Sequence, residues 1–362
     1  MSEERAPLAL RALIPAAVLA LFAWVLGGAE RAPAGDGPHM LAQALRLGRW
    51  LADGEIGAAW SAFAHLTAPH PPVGYLPLVA AATVSAEPRT VVLVADLVWL
   101  VLLLDAVRRL TWPAPWWSGQ IAWAMASATG LVWWSADHAG FDLAAAATCA
   151  QALGWLRASE GLTRRGATVA FGLWLAAAFL TKYSAPLVLA LPVVVGCLPA
   201  LRRSPGGVAL AVAAFAAVAV PYYAENGRMV AEYVRSALAP PSIPGFFPEE
   251  RTLLQRFGGE GQAMFLAVLK ESFGWPGFVL LGVGAVLARR PLPLLGVVSG
   301  VVLLGAMNSR EPRYALPVLY LFAAAGAPAA GAAWQLGAVL VAALLPGMRA
   351  SATLFATCGP EC

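Results

Sequence analysis

Charge is what this chain lacks most. Only 12% of its 362 residues are Asp, Glu, Lys or Arg, against 60% hydrophobic ones. A soluble domain of this length could not bury so much apolar surface, so an all-α polytopic membrane protein is expected. Histidine and cysteine are scarce as well, four of each. The sequence holds no cysteine metal motif, no Walker loop and no dinucleotide fingerprint. The net charge of +4 is spread over short basic clusters between apolar runs, which excludes the gathered basic face that nucleic acid requires. Cys149 and Cys197 fall within apolar segments, where a thiol acts as a small hydrophobe. Cys358 and Cys362 end the chain, either as a disulfide if the tail is extracytoplasmic or as two free thiols.

What the chain does have is a succession of apolar runs long enough to span a bilayer, which takes roughly 17–25 residues. They lie near 11–28, 89–107, 117–135, 142–157, 167–182, 184–200, 207–223, 263–288, 291–307, 314–327 and 329–346, about eleven spans by this reading. The first run has no convincing small-residue cleavage site and reads as a retained helix. Pro71 to Ser85 is apolar but short, and is expected to be a re-entrant or interfacial helix. A transmembrane domain thus covers 1–346, with a first extracytoplasmic loop at 29–88, a second at 224–262 and a tail at 347–362.

Basic residues orient this arrangement. With the N-terminus cytoplasmic, Arg108-Arg109, Arg157 with Arg164-Arg165, Arg202-Arg203 and Arg289-Arg290 all face the cytoplasm, as the positive-inside rule requires. Counting Pro71–Ser85 as a full span would reverse them. All four histidines (His39, His65, His70, His138) then fall on the outer face, so any chemistry is extracytoplasmic. Composition points to a bacterial inner membrane.

The first long polar interval, Gly35 to Tyr75, is too polar to cross lipid yet apolar enough to lie on it. Asp36 opens it in a Gly-Asp-Gly-Pro turn. It reads as a helix cap or as a general base that deprotonates an acceptor hydroxyl at the membrane surface. In the corner Asp137-His138-Ala-Gly-Phe-Asp142, two carboxylates and an imidazole meet where a helix enters lipid, which is costly unless they are used or solvated. Asp142 could alternatively cap the next helix. Arg89 and Lys182 sit at outer helix ends, where snorkelling explains either singly. Together with Arg310 and Arg313 they could ring a lipid-linked phosphate. Asp96 lies within a span and is expected to pair with a neighbouring helix, although an intramembrane acid is a functional candidate by default. Trp133-Trp134 and Tyr222-Tyr223 read as aromatic-belt residues. The acids and histidines could hold a divalent ion, but no spacing enforces one.

In order and spacing these pieces resemble the GT-C glycosyltransferases of the dolichyl-phosphate-mannose protein mannosyltransferase and aminoarabinose transferase type. The resemblance rests on Gly35-Asp36, His70-Pro71-Pro72-Val73-Gly74-Tyr75, Arg89, Asp142, Phe179-Leu180-Thr181-Lys182 and Arg313-Tyr314-Ala-Leu-Pro317, and covers nearly the whole chain. It implies inverting transfer of a sugar from a polyprenyl-phosphate carrier to an extracytoplasmic glycan, lipid or protein acceptor. Asp36 would be the catalytic base and Asp142 a second acid near it. His70, Arg89, Lys182 and Arg313 would serve the phosphate, Tyr314 would line the donor pocket, and Asp137 and His138 would stand close by. Two family acids are replaced, by Gly37 after Asp36 and by Pro69 before the Pro-Pro motif, which argues against a metal-bound version of the site. The competing readings are a flippase for a lipid-linked sugar, which would carry polar residues along several spans, and a non-catalytic assembly subunit.

Overall fold

The computed structural model describes residues 8–27, 37–66, 71–137, 141–238, 257–288, 290–307 and 311–330. Helix α1 (Leu8–Gly27) is apolar apart from Arg11. Two helices follow, α2 (Gly37–Ala52) and α3 (Ile56–Leu66). Met40, Leu41, Ala44 and Leu47 of α2 turn inward, while Leu51, Ile56 and Trp60 are exposed. An exposed apolar edge beside Arg46 and Arg49 suits a pair of helices lying along a membrane surface. The Pro-rich segment becomes a 3₁₀ turn (Pro72–Tyr75) and a seven-residue helix, α4 (Leu76–Ala82). That is too short to span a bilayer, and α4 packs between α2 and the next long helix.

That helix, α5 (Pro88–Thr111), has unusually clear ends. The Glu87 carboxylate accepts from the backbone N–H groups of Arg89 and Thr90, Pro88 occupies the first turn, and Arg108 and Arg109 close the last. This is the arrangement that satisfies orphan donors and the helix dipole together. After α5 come α6 (Trp116–Ser127), α7 (Gly130–Asp137), α8 (Asp142–Ala158), α9 (Arg165–Phe179), α10 (Ala185–Arg203) and α11 (Pro205–Leu238). The described chain ends with α12 (Glu260–Leu287), α13 (Pro291–Gly305), a second 3₁₀ turn (Pro312–Ala315) and α14 (Leu316–Ala330). Among the described residues, Pro88–Thr111, Ala185–Arg203, Pro205–Glu232 and Glu260–Leu287 are long and apolar enough to cross a membrane. Shorter apolar helices stand beside them, and the expected span at 329–346 falls almost entirely outside the described residues.

Three elements depart from the expected spans. The run at 117–135 is two helices, α6 and α7, separated at Ala128-Thr129. Helix α11 continues from its expected end at 223 to Leu238, because Glu225 to Leu238 is helix-forming rather than turn-rich. Helix α12 is broken at Gly274, which adopts φ 66° and ψ 164° just ahead of Pro276. Only glycine takes that backbone without strain, and the proline cannot supply the missing N–H.

Helix α8 is the hub. Nearly all of it is buried, and it packs against α5, α9, α10 and α14. Its alanines let the neighbouring backbones approach closely, as small residues do in membrane bundles. Helices α5 and α8 run parallel in steady register: Gln151 Nε2 donates to Leu102 O at 2.8 Å and Arg157 Nη1 to Leu110 O at 2.7 Å. Arg290, at the start of α13, donates to Leu110 O at 2.9 Å and to Trp112 O at 3.0 Å. Two guanidiniums therefore cap the carbonyl end of α5. The basic clusters gather at this end of the bundle, and Asp142, Lys182 and Arg313 gather at the other.

Candidate functional site

Asp142 is the first residue of α8, and the residue before it makes no side-chain cap. Its carboxylate, 3% exposed, does not cap the helix. It meets Nζ of Lys182 instead. Lys182 is delivered by the tight end of α9, where Leu180 N bonds Ala176 O and Thr181 Oγ1 donates to Ala177 O at 2.7 Å. The ammonium also lies 4.5 Å from the centroid of the Tyr314 ring, a cation–π contact in a half-dry place. Tyr314 Oη donates to Glu311 Oε1 at 3.1 Å, and the other oxygen of Glu311 is in ion-pair contact with Arg313 Nε. Asp142, Lys182, Tyr314, Glu311 and Arg313 thus form one continuous chain of contacts. Two carboxylates are matched to two cations.

A second chain of contacts ties the first loop to this cluster. Within α2 the Gln43 amide donates from Nε2 to His39 Nε2 at 2.8 Å. Tyr75 Oη donates to Gln43 Oε1 at 2.6 Å. The Tyr75 ring stands edge-on to Phe141 at 4.7 Å, and Phe141 is the neighbour of Asp142. Val73 N bonds Leu180 O at 2.7 Å, two residues before Lys182. The start of α2 and the Pro-Val-Gly-Tyr turn are therefore fastened to the segments that carry Asp142 and Lys182, through Phe141 and Leu180.

Gly74 is where these pieces touch. A Cβ there would lie 2.6–2.9 Å from three ring carbons of Phe141. Gly74→Ala is expected to destabilise the protein by about 1–3 kcal/mol, the usual cost of overpacking, and to push Phe141 and with it the first turn of α8. Thermal unfolding in detergent checks the first effect. Ligand binding by the folded variant checks the second.

Burial holds the pKa of Lys182 below the ordinary lysine value, Asp142 opposes that shift, and the neighbouring Arg313 adds to it. Burial alone would pull Arg313 down too, but the Asp142 and Glu311 carboxylates outweigh it and hold the guanidinium above its usual range. As pH rises between the depressed value and that of an unfolded lysine, the unfolded chain carries the extra proton, so this group contributes more stability at higher pH. Its charge is lost over the same window. Affinity for a phosphate ligand is thus expected to fall as pH rises towards the ordinary lysine value, with no loss of stability from Lys182. In Lys182→Arg the fall should move to higher pH, measured as ligand affinity against pH.

Other candidates fall elsewhere. Arg89 is exposed in the first turn of α5, beside Glu87; among the described residues it makes no side-chain contact with the Asp142 cluster. Asp137 ends α7, and its side chain lies outside the described residues, as do Asp36, His70, His138 and Arg310. Asp36 directly precedes Gly37, the first residue of α2. No group of three or more His, Cys, Asp or Glu residues that could hold a metal occurs among the described residues. Of the aromatic pairs, Phe22 and Trp133 stand 4.6 Å apart, Tyr222 is buried against Leu180 and Val230, and Tyr223 Oη donates to Phe179 O at 3.0 Å, while the Trp134 side chain lies outside the described residues. Glu311, Gln43 and Tyr75 did not emerge from sequence as site residues. For Glu311 a signal existed, an acid two residues before a cation at a helix start. Tyr75 ends the His70–Tyr75 run without a role of its own there, and nothing in the sequence ties it to Gln43, 32 residues away.

No match is found among protein-family models or among curated protein sequences. Among solved structures the chain is similar to ArnT from Cupriavidus metallidurans, in its apo crystal structure and in one bound to undecaprenyl phosphate. The TM-score is 0.60 in both, at 17% and 18% identity, covering 97% and 98% of this chain. The chain spans 63% and 64% of the length of those two. The likeness shows the fold alone: this chain shares the helical architecture of those two structures.

Proposed function

We propose that this chain is an integral membrane glycosyltransferase that moves a sugar, a hexose or pentose, from a polyprenyl phosphate to an extracytoplasmic hydroxyl with inversion. The observation that carries this reading is the buried Asp142–Lys182 pair, joined through Tyr314 to Glu311 and Arg313. It offers two preplaced cations at the end of the bundle where the first loop arrives. One solved protein of the same fold is bound to undecaprenyl phosphate, a lipid phosphate of the kind such cations suit.

In this reading Asp36 takes the acceptor's proton as the acceptor oxygen bonds to the anomeric carbon. The bond from that carbon to the phosphate oxygen breaks, and the electron pair leaves with the lipid phosphate. Lys182 supplies a point charge to that phosphate and Arg313 a fork of donors, while Asp142 and Glu311 hold the two cations in position. Tyr314 lines the donor's place, and Arg89 and His70 act at its rim. Asp137 and His138, close to Asp142 along the sequence, are assigned to the same site. Phosphate is a tolerable leaving group, so positioning and charge neutralisation supply most of the acceleration. The positive-inside rule sets the basic end of the bundle in the cytoplasm and this site on the periplasmic or outer face of a bacterial inner membrane. The transmembrane domain over 1–346 carries the site, and the segments at 29–88 and 224–262, the second of which begins as the end of α11, present the acceptor, a glycan, lipid or protein.

The test is transfer by the purified protein from a panel of polyprenyl-phosphate sugars, read as release of the free lipid phosphate. Release with any one sugar supports the reading. Carrier binding without release from any sugar would instead favour a transporter of lipid-linked sugars or a non-catalytic subunit.

A further inference from the structure

At the end of the bundle away from Lys182, two guanidiniums converge on one carbonyl. Arg157, in the last turn of α8, and Arg290, just ahead of α13, both donate from Nη1 to Leu110 O, at 2.7 and 2.9 Å. Those two bonds laid end to end keep the Nη1 atoms within 5.6 Å of each other. Arg290 is 8% exposed and gives a second bond to Trp112 O at 3.0 Å. Among the described residues neither arginine makes an ion pair. The two carboxylates described at this end are both taken. Asp105 accepts from Nε and Nη2 of Arg109 and from Nε2 of Gln151, each at 2.9 Å. Glu160 pairs with Arg164 at 2.7 Å.

Capping the end of α5 accounts for part of this arrangement and leaves a remainder. The carbonyl end of a helix carries about half a negative charge, which does not balance two guanidiniums. Burial pushes the pKa of Arg290 down to about 10, and the charge of Arg157 pushes it the same way. Each guanidinium has five N–H donors, and the Nε and Nη2 groups of both find no acceptor among the described residues. Two like charges held together in a half-dry place are costly unless an anion joins them. The planar forks suit the oxygens of a phosphate. Trp112, 64% exposed beside Arg290, is of the residue type that lies at headgroup depth. That is where lipid phosphates are.

We propose that Arg157 and Arg290 together hold the phosphate of an anionic phospholipid, such as phosphatidylglycerol, at the junction of α5, α8 and α13. The phosphate oxygens accept from the unused N–H groups of both, and their charge takes the place of the missing carboxylate. Basic pockets between spanning helices take anionic headgroups in this way. By the positive-inside rule the lipid belongs to the cytoplasmic leaflet. The site is separate from the Lys182 cluster and does not depend on the transferase reading. Free phosphate offers the same oxygens, so the experiment separates the two sources.

Binding is measured by native mass spectrometry of the full chain in neutral detergent, with phosphatidylglycerol, phosphatidylcholine or inorganic phosphate added. The variants are Arg157→Gln and Arg290→Gln. The control is Arg202→Gln with Arg203→Gln, two exposed arginines at the same end. Wild type and control should bind phosphatidylglycerol in preference to phosphatidylcholine. Each site variant should bind it roughly 10- to 100-fold more weakly, the loss of a hydrogen bond to a charged group. Unchanged affinity in either folded site variant overturns the site. An equal loss in the control also overturns it, since the charge would then act from the whole surface. Displacement of the lipid by equimolar inorganic phosphate would assign the pair to a soluble anion and overturn the headgroup. If neither site variant folds, the wild type and the control carry the test. A preference for phosphatidylglycerol kept in both supports the proposal, and no preference in the wild type overturns it.

Discussion

Lys182→Met is expected to cost the folded protein about 3–5 kcal/mol and to abolish carrier binding. The cost follows from what the substitution leaves behind rather than from the contact it removes. Asp142, 3% exposed at the head of α8, would keep its burial and lose its hydrogen-bond donor, which even a neutral lysine amine supplies, and breaking a buried pair from one side carries a penalty of that size. The control is the double variant Asp142→Asn with Lys182→Met. It removes both charges, so it should regain most of the stability and none of the binding. Chemical or thermal unfolding of the two variants decides the first point. A double variant no more stable than Lys182→Met would mean that the pair is solvated in the folded protein. Because Tyr314 lies under the same ammonium, Lys182→Met should also loosen the Glu311–Arg313 turn, seen as faster proteolysis near residue 312.

Asp36→Asn is expected to lower transfer by a factor of about 10²–10⁴, the usual contribution of a positioned general base, with unfolding temperature changed little. Asparagine keeps the shape of aspartate and remains a good helix cap, so α2 should start where it does now. The amide cannot take the acceptor's proton. The two readings of Asp36 therefore separate cleanly: a cap alone predicts near-normal turnover in Asp36→Asn, and a base predicts its loss with carrier affinity retained. Turnover unchanged in the folded variant would pass the role of base to Asp142 or Asp137. The His39–Gln43–Tyr75 contacts bring the beginning of α2 to the Asp142 cluster, which is what a base at Asp36 needs.

The sequence by itself determined the class of molecule, because scarcity of charge and apolar runs of bilayer length leave few alternatives. Polarity along a chain is a local quantity, and so are helix ends: Glu87-Pro88 and Arg108-Arg109 announce α5 before any packing is known. The order of motifs from Asp36 to Tyr314 was legible for the same reason, since each is a short run of residue types. Partnerships were not. That Lys182 would meet Asp142, 40 residues away, and that Asp96 Oδ2 would meet no partner among the described residues, depend on how α5, α8 and α9 pack, and ionic contacts have no periodicity to read. The break in α12 at Gly274 and the extension of α11 past Glu225 were likewise set by neighbours and local backbone freedom, which apolar content does not encode. Tertiary structure alone decided that the basic clusters cap one end of the bundle while the Asp142 chain closes the other, because only parallel packing of α5 and α8 turns separations along the sequence into positions in space.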